Sequence, residues 1–192
     1  MKNYLLSLLV IFSTPFLSVT TAVTAADFDD GAASFDETGN LIRPLNWREW
    51  VFIGAALTPN DQNFGQAYLP EFKYVYLDPE SFTVWKKSGE FREGAVLVKE
   101  LVAIGSREEQ SGTGYFPGEF LGLEVAVKNS RRFESHLGGW GFFSFGELPY
   151  VASAAVIRGS GEFDCSGCHA YAQQDMIFTQ FYPNLNAAKP TQ

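Results

Sequence analysis

Five stretches of the chain carry the apolar patterning of β-strands or short helices. The clearest is "GAVLVKELVAIGS", residues 94–106, an apolar run bounded by Gly94 and Gly105. It predicts a strand, because β-branched and aliphatic residues dominate and glycines punctuate both ends. "YFPGEFLGLEVAVK", 115–128, predicts a second long strand after the polar loop "SREEQSGTG". "GGWGFFSFG", 138–146, predicts a glycine-flanked aromatic strand. "FKYVYLD" and "FTVWKK" follow the same composition on either side of the turn-prone Asp78-Pro79-Glu80-Ser81, and the second equally suits a short helix.

Elsewhere the period favours helices or loops. "RPLNWREWVFIGAAL" predicts a short helix, with Pro44 near its start, Asn46 as a cap and apolar residues at helical spacing. "TPNDQNFGQ" reads as a loop, and the acidic lead "DFDDGAASFDETGN" as a loose arm with a turn at Thr38-Gly39-Asn40. The stretch from Glu147 to Asp164 has no decisive pattern. "AYAQQDMIFTQFY", 170–182, predicts a C-terminal helix. The expected fold is therefore α+β and mainly β, an antiparallel sheet with short helices and a helical C-terminal element.

Strand alternation sorts Ala95, Leu97, Lys99, Leu101 and Ala103 onto one face, and Val96, Val98, Glu100, Val102 and Ile104 onto the other. Both faces are apolar, yet each carries one charge. A buried lysine is costly unless paired or neutralised. Either one of the two charges reaches solvent past an edge or bulge, or Lys99 points into a pocket.

Composition then narrows the function classes. The first 25 residues have one basic residue, Lys2, then an apolar run and then small residues, with Val23-Thr24-Ala25 as a cleavage site. That layout predicts a secretory signal peptide over residues 1–25 and a periplasmic location. Pro15 and the Ser/Thr-rich half shorten the apolar core below the roughly 20 residues that span a bilayer, so no membrane association is expected after cleavage. The chain has 14 basic and 22 acidic residues, a net charge of −8. Such a balance argues against nucleic acid as a partner and suits docking of a basic redox protein. The 18 Phe, 8 Tyr and 4 Trp residues suit an aromatic core or a pocket around a large flat ligand.

Both cysteines fall in "CSGCH": Cys165, Cys168, and His169 directly after. This is the attachment pattern of a c-type haem. Two thiols about one helical turn apart can each add to a vinyl group on the same porphyrin edge, and the histidine offers a nitrogen to iron. A disulfide across two residues would gain little loop entropy. A thioredoxin-like pair sits beside a βαβ unit near the start of a domain. Zinc usually takes four protein ligands, and here only distant His136 is an obvious addition. Met176 lies too close to His169 to reach the opposite face of the ring, and His136 sits in the turn-like "ESHLGG". The iron is expected to be five-coordinate with its far side open, which favours chemistry or gas binding over plain electron transfer.

Taken in order, "NWREWVFIG", "LTPND", "VYLDPESFTVWKKSGEFREG", "VLVKELV", "GYFPGEFLGLEVAVKNSRRF", "WGFFSFG", "CSGCH" and "MIFTQFYPNL" resemble the cytochrome P460 family of haem proteins, over nearly all of residues 26–192. The resemblance implies a single mainly β domain over 26–192, usually dimeric, with one haem c attached at Cys165 and Cys168 and ligated by His169. It further implies a covalent bond from Lys99 to a meso carbon of the porphyrin, and oxidation of hydroxylamine to nitrous oxide, nitric oxide or both. Electrons would pass to an acceptor cytochrome. At Lys73 the resemblance implies an arginine that supports the cross-link; a lysine keeps the charge but loses the planar fork. The family's distal acid is implied in or near 146–164, where this chain departs from the pattern. Glu147 and Glu162 are the carboxylates there, and Ala155 in "VASAAVIR" is the apolar residue implied over the iron. The competing expectation is a cytochrome c′-beta-like protein, with the same fold and no cross-link, that binds nitric oxide or carbon monoxide. A haem-free thiol–disulfide protein is the third.

Overall fold

The computed structural model describes residues 30–147, 152–159 and 164–190, with only the backbone of Glu147. In chain order its elements are β1 (Leu41–Ile42), β2 (Val51–Leu57), β3 (Glu71–Leu77), α1 (Pro79–Ser88), β4 (Val96–Ile104), β5 (Glu108–Glu109), β6 (Gly112–Thr113), β7 (Pro117–Lys128), β8 (Trp140–Glu147), β9 (Ala154–Ala155), α2 (Cys165–His169) and α3 (Pro183–Ala187). Single 3-10 turns occur at Trp47–Glu49, Asn60–Gln62, Leu137–Gly139 and Thr179–Phe181. The expected signal peptide and Glu162 lie outside the described residues. Among those described, no helix is long and apolar enough to cross a membrane.

A five-stranded antiparallel sheet in the order β2-β3-β4-β7-β8 organises the fold. Strand β4 lies at its centre and pairs with β3 and β7 over almost its whole length. Its alternation works as the sequence suggests. Val96 and Val98 point to one side, where they pack with Leu123, Val125, Val127, Phe143 and Phe145. Leu97 points to the other, with Val75, Leu77, Ala126 and Phe142. The first layer is covered by the N-terminal segment through Leu41, Trp47 and Trp50. The second is covered by α1 and the C-terminal segment through Trp85, Ile177, Tyr182 and Leu185.

"FTVWKK" resolves into helix α1. Asp78 caps it by accepting from Ser81 N at 2.9 Å, while its other oxygen accepts from Val96 N at 2.9 Å. Pro79 occupies the first turn, where its missing N–H costs nothing. Gly89 ends the helix with φ 71°, a conformation glycine adopts without a Cβ clash. One aspartate therefore fixes both the helix start and the entry to the central strand.

Three sequence expectations are corrected. The helix expected over 43–57 is a 3-10 turn followed by strand β2, and Asn46 makes no side-chain cap. Trp47, Trp50 and Ile53 are buried at a spacing of three, which mimics a helix face. Pairing with β3, through a register shift between Phe52 and Gly54, overrides that signal. The acidic lead is not loose from residue 30 onward: Asp30 binds Arg132 at 2.6 Å and Phe35 bridges to Leu41. The helix expected over 170–182 is absent, because Asp175 and Met176 turn the backbone to φ 47° and 63°. Helix α2 covers only the cysteine motif, and α3 follows much later.

Candidate haem site

Helix α2 begins at Asp164, whose carboxylate accepts from Cys165 N at 2.8 Å. That hydrogen bond, before the smaller contribution of Arg158, holds the Asp164 carboxyl below its usual range. The five-residue helix presents both thiols as free cysteines, Cys165 half-buried and Cys168 exposed. Burial, reinforced by the nearby charges of Glu124 and Asp164, pushes the Cys165 thiol up. It is therefore held protonated at neutral pH.

His169 closes the helix with its ring between two aromatic faces. The Phe142 centroid is 4.3 Å away and that of Phe178 is 5.0 Å away. Its Nδ1 lies 2.5 Å from the Met176 carbonyl oxygen. A carbonyl can only accept, so Nδ1 carries the proton and donates, which leaves the Nε2 lone pair available to a metal. Burial lowers the ring's pKa, helped by Lys99 and opposed by the Met176 carbonyl. The imidazole is thus neutral and held in one tautomer, as an iron ligand must be.

Lys99 faces the same cleft, which is lined by Val75, Leu97, Ala126, Phe142, Ile177 and Tyr182 together with Cys165 and His169. Its amine forms an ion pair with Glu124, the residue directly across in β7. The two side chains are 26% and 27% exposed, so this pair sits at the mouth of an apolar cleft. Glu100 points to the opposite face, where it accepts from Arg48 at 2.6 Å. Both charges of "VLVKELV" are therefore paired, and only Lys99 looks toward the cysteine motif.

Lys73 shares the Lys99 face, one cross-strand pair further along, opposite Leu101. Its Nζ donates to Thr58 Oγ1 and Leu69 O, each at 2.8 Å. Burial lowers its pKa, with Glu71 opposing and Lys99 adding to the shift. The amine is committed to the loop before β3. Ala155, expected over the iron, does not line this cleft. It pairs with Leu41 in β1 and packs in the layer on the other side of the sheet. The Glu147 side chain and all of Glu162 are outside the described residues. Met176 buries its side chain in the core cluster with Trp140 and Ile177. His136 lies near Ser135 and Phe133, away from the cleft lining.

Sequence reasoning missed Glu124, the Met176 carbonyl and the aromatic walls of the imidazole. Glu124 left a signal: Gly122, Glu124, Ala126 and Lys128 form the charged side of an otherwise apolar strand. Antiparallel pairing with "VLVKELV" is enough to bring its carboxylate to Lys99.

The donor set fits haem c. Cys165, a neutral imidazole with its Nε2 available and an apolar floor meet in the cleft, and Cys168 lies exposed on the same short helix. Among the described residues, no group of three or more His, Cys, Asp or Glu gathers to hold a bare metal ion. The cleft encloses only about 50 Å³. These residues therefore form an anchoring floor for a macrocycle, with further cover to come from elsewhere.

No curated protein matches the chain. The sequence does match the family described as Cytochrome P460 over residues 44–179, well over half its length. That span contains β2, the Lys99 strand, Glu124 and the whole cysteine motif, and on it the chain belongs to the cytochrome P460 family of haem proteins.

Proposed function

We propose that this cytochrome oxidises hydroxylamine at a single haem c, attached by Cys165 and Cys168, ligated by His169 and cross-linked to Lys99. The observation that carries this reading is the convergence of Lys99, from the central strand, and the Cys165–His169 helix on one cleft. The haem iron supplies the electron-accepting centre. The chain's own residues do the rest. His169, fixed by the Met176 carbonyl and by Phe142 and Phe178, would offer its Nε2 to the iron in one orientation. The apolar floor would exclude water from the side of the haem that it covers. Hydroxylamine oxidation to nitrous oxide or nitric oxide releases as many protons as electrons, so it calls for a carboxylate or water near the site as proton acceptor. Electrons leave to an acceptor cytochrome, and the net charge of −8 favours a basic one.

A second reading is a cytochrome c′-beta-like binder of nitric oxide or carbon monoxide. It is favoured by the apolar, aromatic lining and by the ion pair that holds the Lys99 amine. Visible spectroscopy combined with hydroxylamine turnover, using an artificial acceptor, separates the two. A red-shifted ferrous band with turnover supports the enzyme. An ordinary c-type ferrous band, ligand binding and no turnover support the binder.

A further inference from the structure

We propose that electrons leave this cytochrome through the turn after the cysteine motif, with Phe178 and Phe181 as the bridge and the exposed Phe181 ring as the contact for a basic acceptor cytochrome. The inference rests on the haem and the acceptor of the proposed function, and adds where that acceptor docks.

The His169 ring has two aromatic neighbours, and they lead in different directions. Phe142, 4.3 Å away, is buried in the core beneath the cleft. Phe178, 5.0 Å away, stacks on Phe181 with ring centroids 6.1 Å apart and planes 24° apart. Phe181 is 55% exposed. Two ring contacts therefore join the imidazole that would ligate iron to the solvent. Electron tunnelling decays more slowly through packed atoms than across gaps, so this ladder is a path outward. Phe52, Phe64, Tyr68 and Tyr171 are also exposed. Among the described residues, none of those rings continues a chain of ring contacts to His169.

The turn that carries the ladder is held firmly. Phe181 N donates to Phe178 O and Tyr182 N to Thr179 O, each at 3.0 Å. Asn186 Nδ2 also donates to Thr179 O, at 2.8 Å, and Asn184 Nδ2 ties the segment to β2 through Phe52 O at 2.9 Å. Trp85 Nε1 donates to Leu185 O from α1. An exposed ring on so fixed a backbone has little freedom left to lose when a partner covers it.

The surroundings indicate what kind of partner fits. From Met176 to Ala188, "MIFTQFYPNLNAA", the chain has no charged residue. Pro183, Asn184, Asn186 and Ala187 are the exposed residues next to Phe181 in sequence. The centre of a protein interface is depleted of charge and enriched in aromatic residues, and this segment has that composition. One ring with a rim of amides suits a transient redox encounter, which buries less than about 1,200 Å², better than a stable dimer. The net charge of −8 steers a basic partner toward the molecule. In the step itself one electron passes from the reduced haem here to the oxidised haem of the partner, and no bond forms or breaks.

The test uses the full-length, haem-loaded protein, reduced without oxygen and mixed in a stopped-flow spectrometer with an oxidised basic cytochrome c. It requires no hydroxylamine. The parent is expected to transfer its electron in a second-order reaction that slows as salt is raised. Phe181→Ser should lower that rate constant about tenfold, the loss expected from one anchoring aromatic. Its melting temperature, its reduction potential and its rate with ferricyanide, a small acceptor, should stay near the parent's. Phe181→Tyr should restore the rate, and Tyr171→Ser, which removes another exposed ring, should leave it unchanged. Transfer by Phe181→Ser at the parent rate overturns the inference. So does an equal loss with ferricyanide, or a loss in Tyr171→Ser as large as that in Phe181→Ser. A parent that gives no electron to the basic cytochrome removes that acceptor from the proposed function, and this inference with it. A parent that reduces the cytochrome yet fails to oxidise hydroxylamine removes the enzyme reading and leaves the exit route standing.

Discussion

Lys128→Met tests how the fold holds His169 in place. Lys128 Nζ donates to Asp175 Oδ1 at 2.8 Å, to Oδ2 at 3.0 Å and to Gly138 O at 2.8 Å. The lysine side chain is 12% exposed and that of Asp175 is 29%. Asp175 and the next residue, Met176, adopt φ 47° and 63°, and the Met176 carbonyl is the acceptor for His169 Nδ1. The clamp therefore holds a left-handed turn that would otherwise relax, since such residues cost roughly 1–2 kcal/mol each outside glycine. Hydrogen bonds to charged groups contribute about 1.5–3 kcal/mol each. Partial exposure of Asp175 and relief of turn strain reduce the total, and methionine retains much of the packing. The expected loss is about 2–3 kcal/mol, or roughly 4–12 °C in melting temperature for a chain of this size. Thermal melts of the haem-loaded protein measure this directly. The reduction potential provides a second readout: a looser imidazole N–H bond makes His169 a weaker donor and raises the potential. A melting shift below about 2 °C, with an unchanged potential, would refute the claim that this clamp positions the imidazole.

Other expectations follow from local geometry. Gly54→Ala would place a Cβ 2.8 Å from Tyr182 Cα and 2.9 Å from the Phe181 carbonyl oxygen, both backbone atoms. It should cost about 1–3 kcal/mol by overpacking, with limited proteolysis increasing in the C-terminal segment. Asp164→Asn should weaken α2 and lower the yield of haem-loaded protein, read from the absorbance of attached haem. Because the Asp164 carboxyl is held low, its stabilising contribution is complete above the ordinary value of 3.8 and is lost as pH falls through its folded value. Denaturant melts of parent and variant should therefore differ at neutral pH and converge in strong acid. Trp85→Phe leaves the Leu185 carbonyl without the indole N–H that donates to it at 2.8 Å. A loss of about 1–3 kcal/mol is expected in urea unfolding.

The central sheet was legible in the sequence because β3, β4, β7 and β8 have alternating or β-rich composition, with glycines marking the ends of β4 and β8. Lys99 was legible for the same reason, since a period of two assigns it a face without knowledge of the partner strands. What was hidden depended on distant partners or single dihedrals. A 3-10 turn runs into strand β2, whose bulge breaks its alternation, so buried Trp47 and Trp50 ahead of the strand and Ile53 within it counterfeit a helix. The segment after His169 has helical composition, but two positive φ angles at Asp175 and Met176 redirect it. Those angles turn the Met176 carbonyl toward His169, and no side-chain pattern reports a carbonyl's direction. Glu124 was visible as a charge on an apolar strand, yet its meaning needed the β4–β7 register. The packing of Ala155 was hidden because β9 pairs with β1, a contact across more than a hundred residues.

Peptide mapping of the haem-loaded protein tests the central claim most directly. Proteolysis followed by mass measurement of the haem-absorbing fragment should find the "VLVKEL" and "CSGCH" peptides joined through one porphyrin. A fragment carrying haem on the "CSGCH" peptide alone, with Lys99 recovered as an unmodified residue, would contradict it.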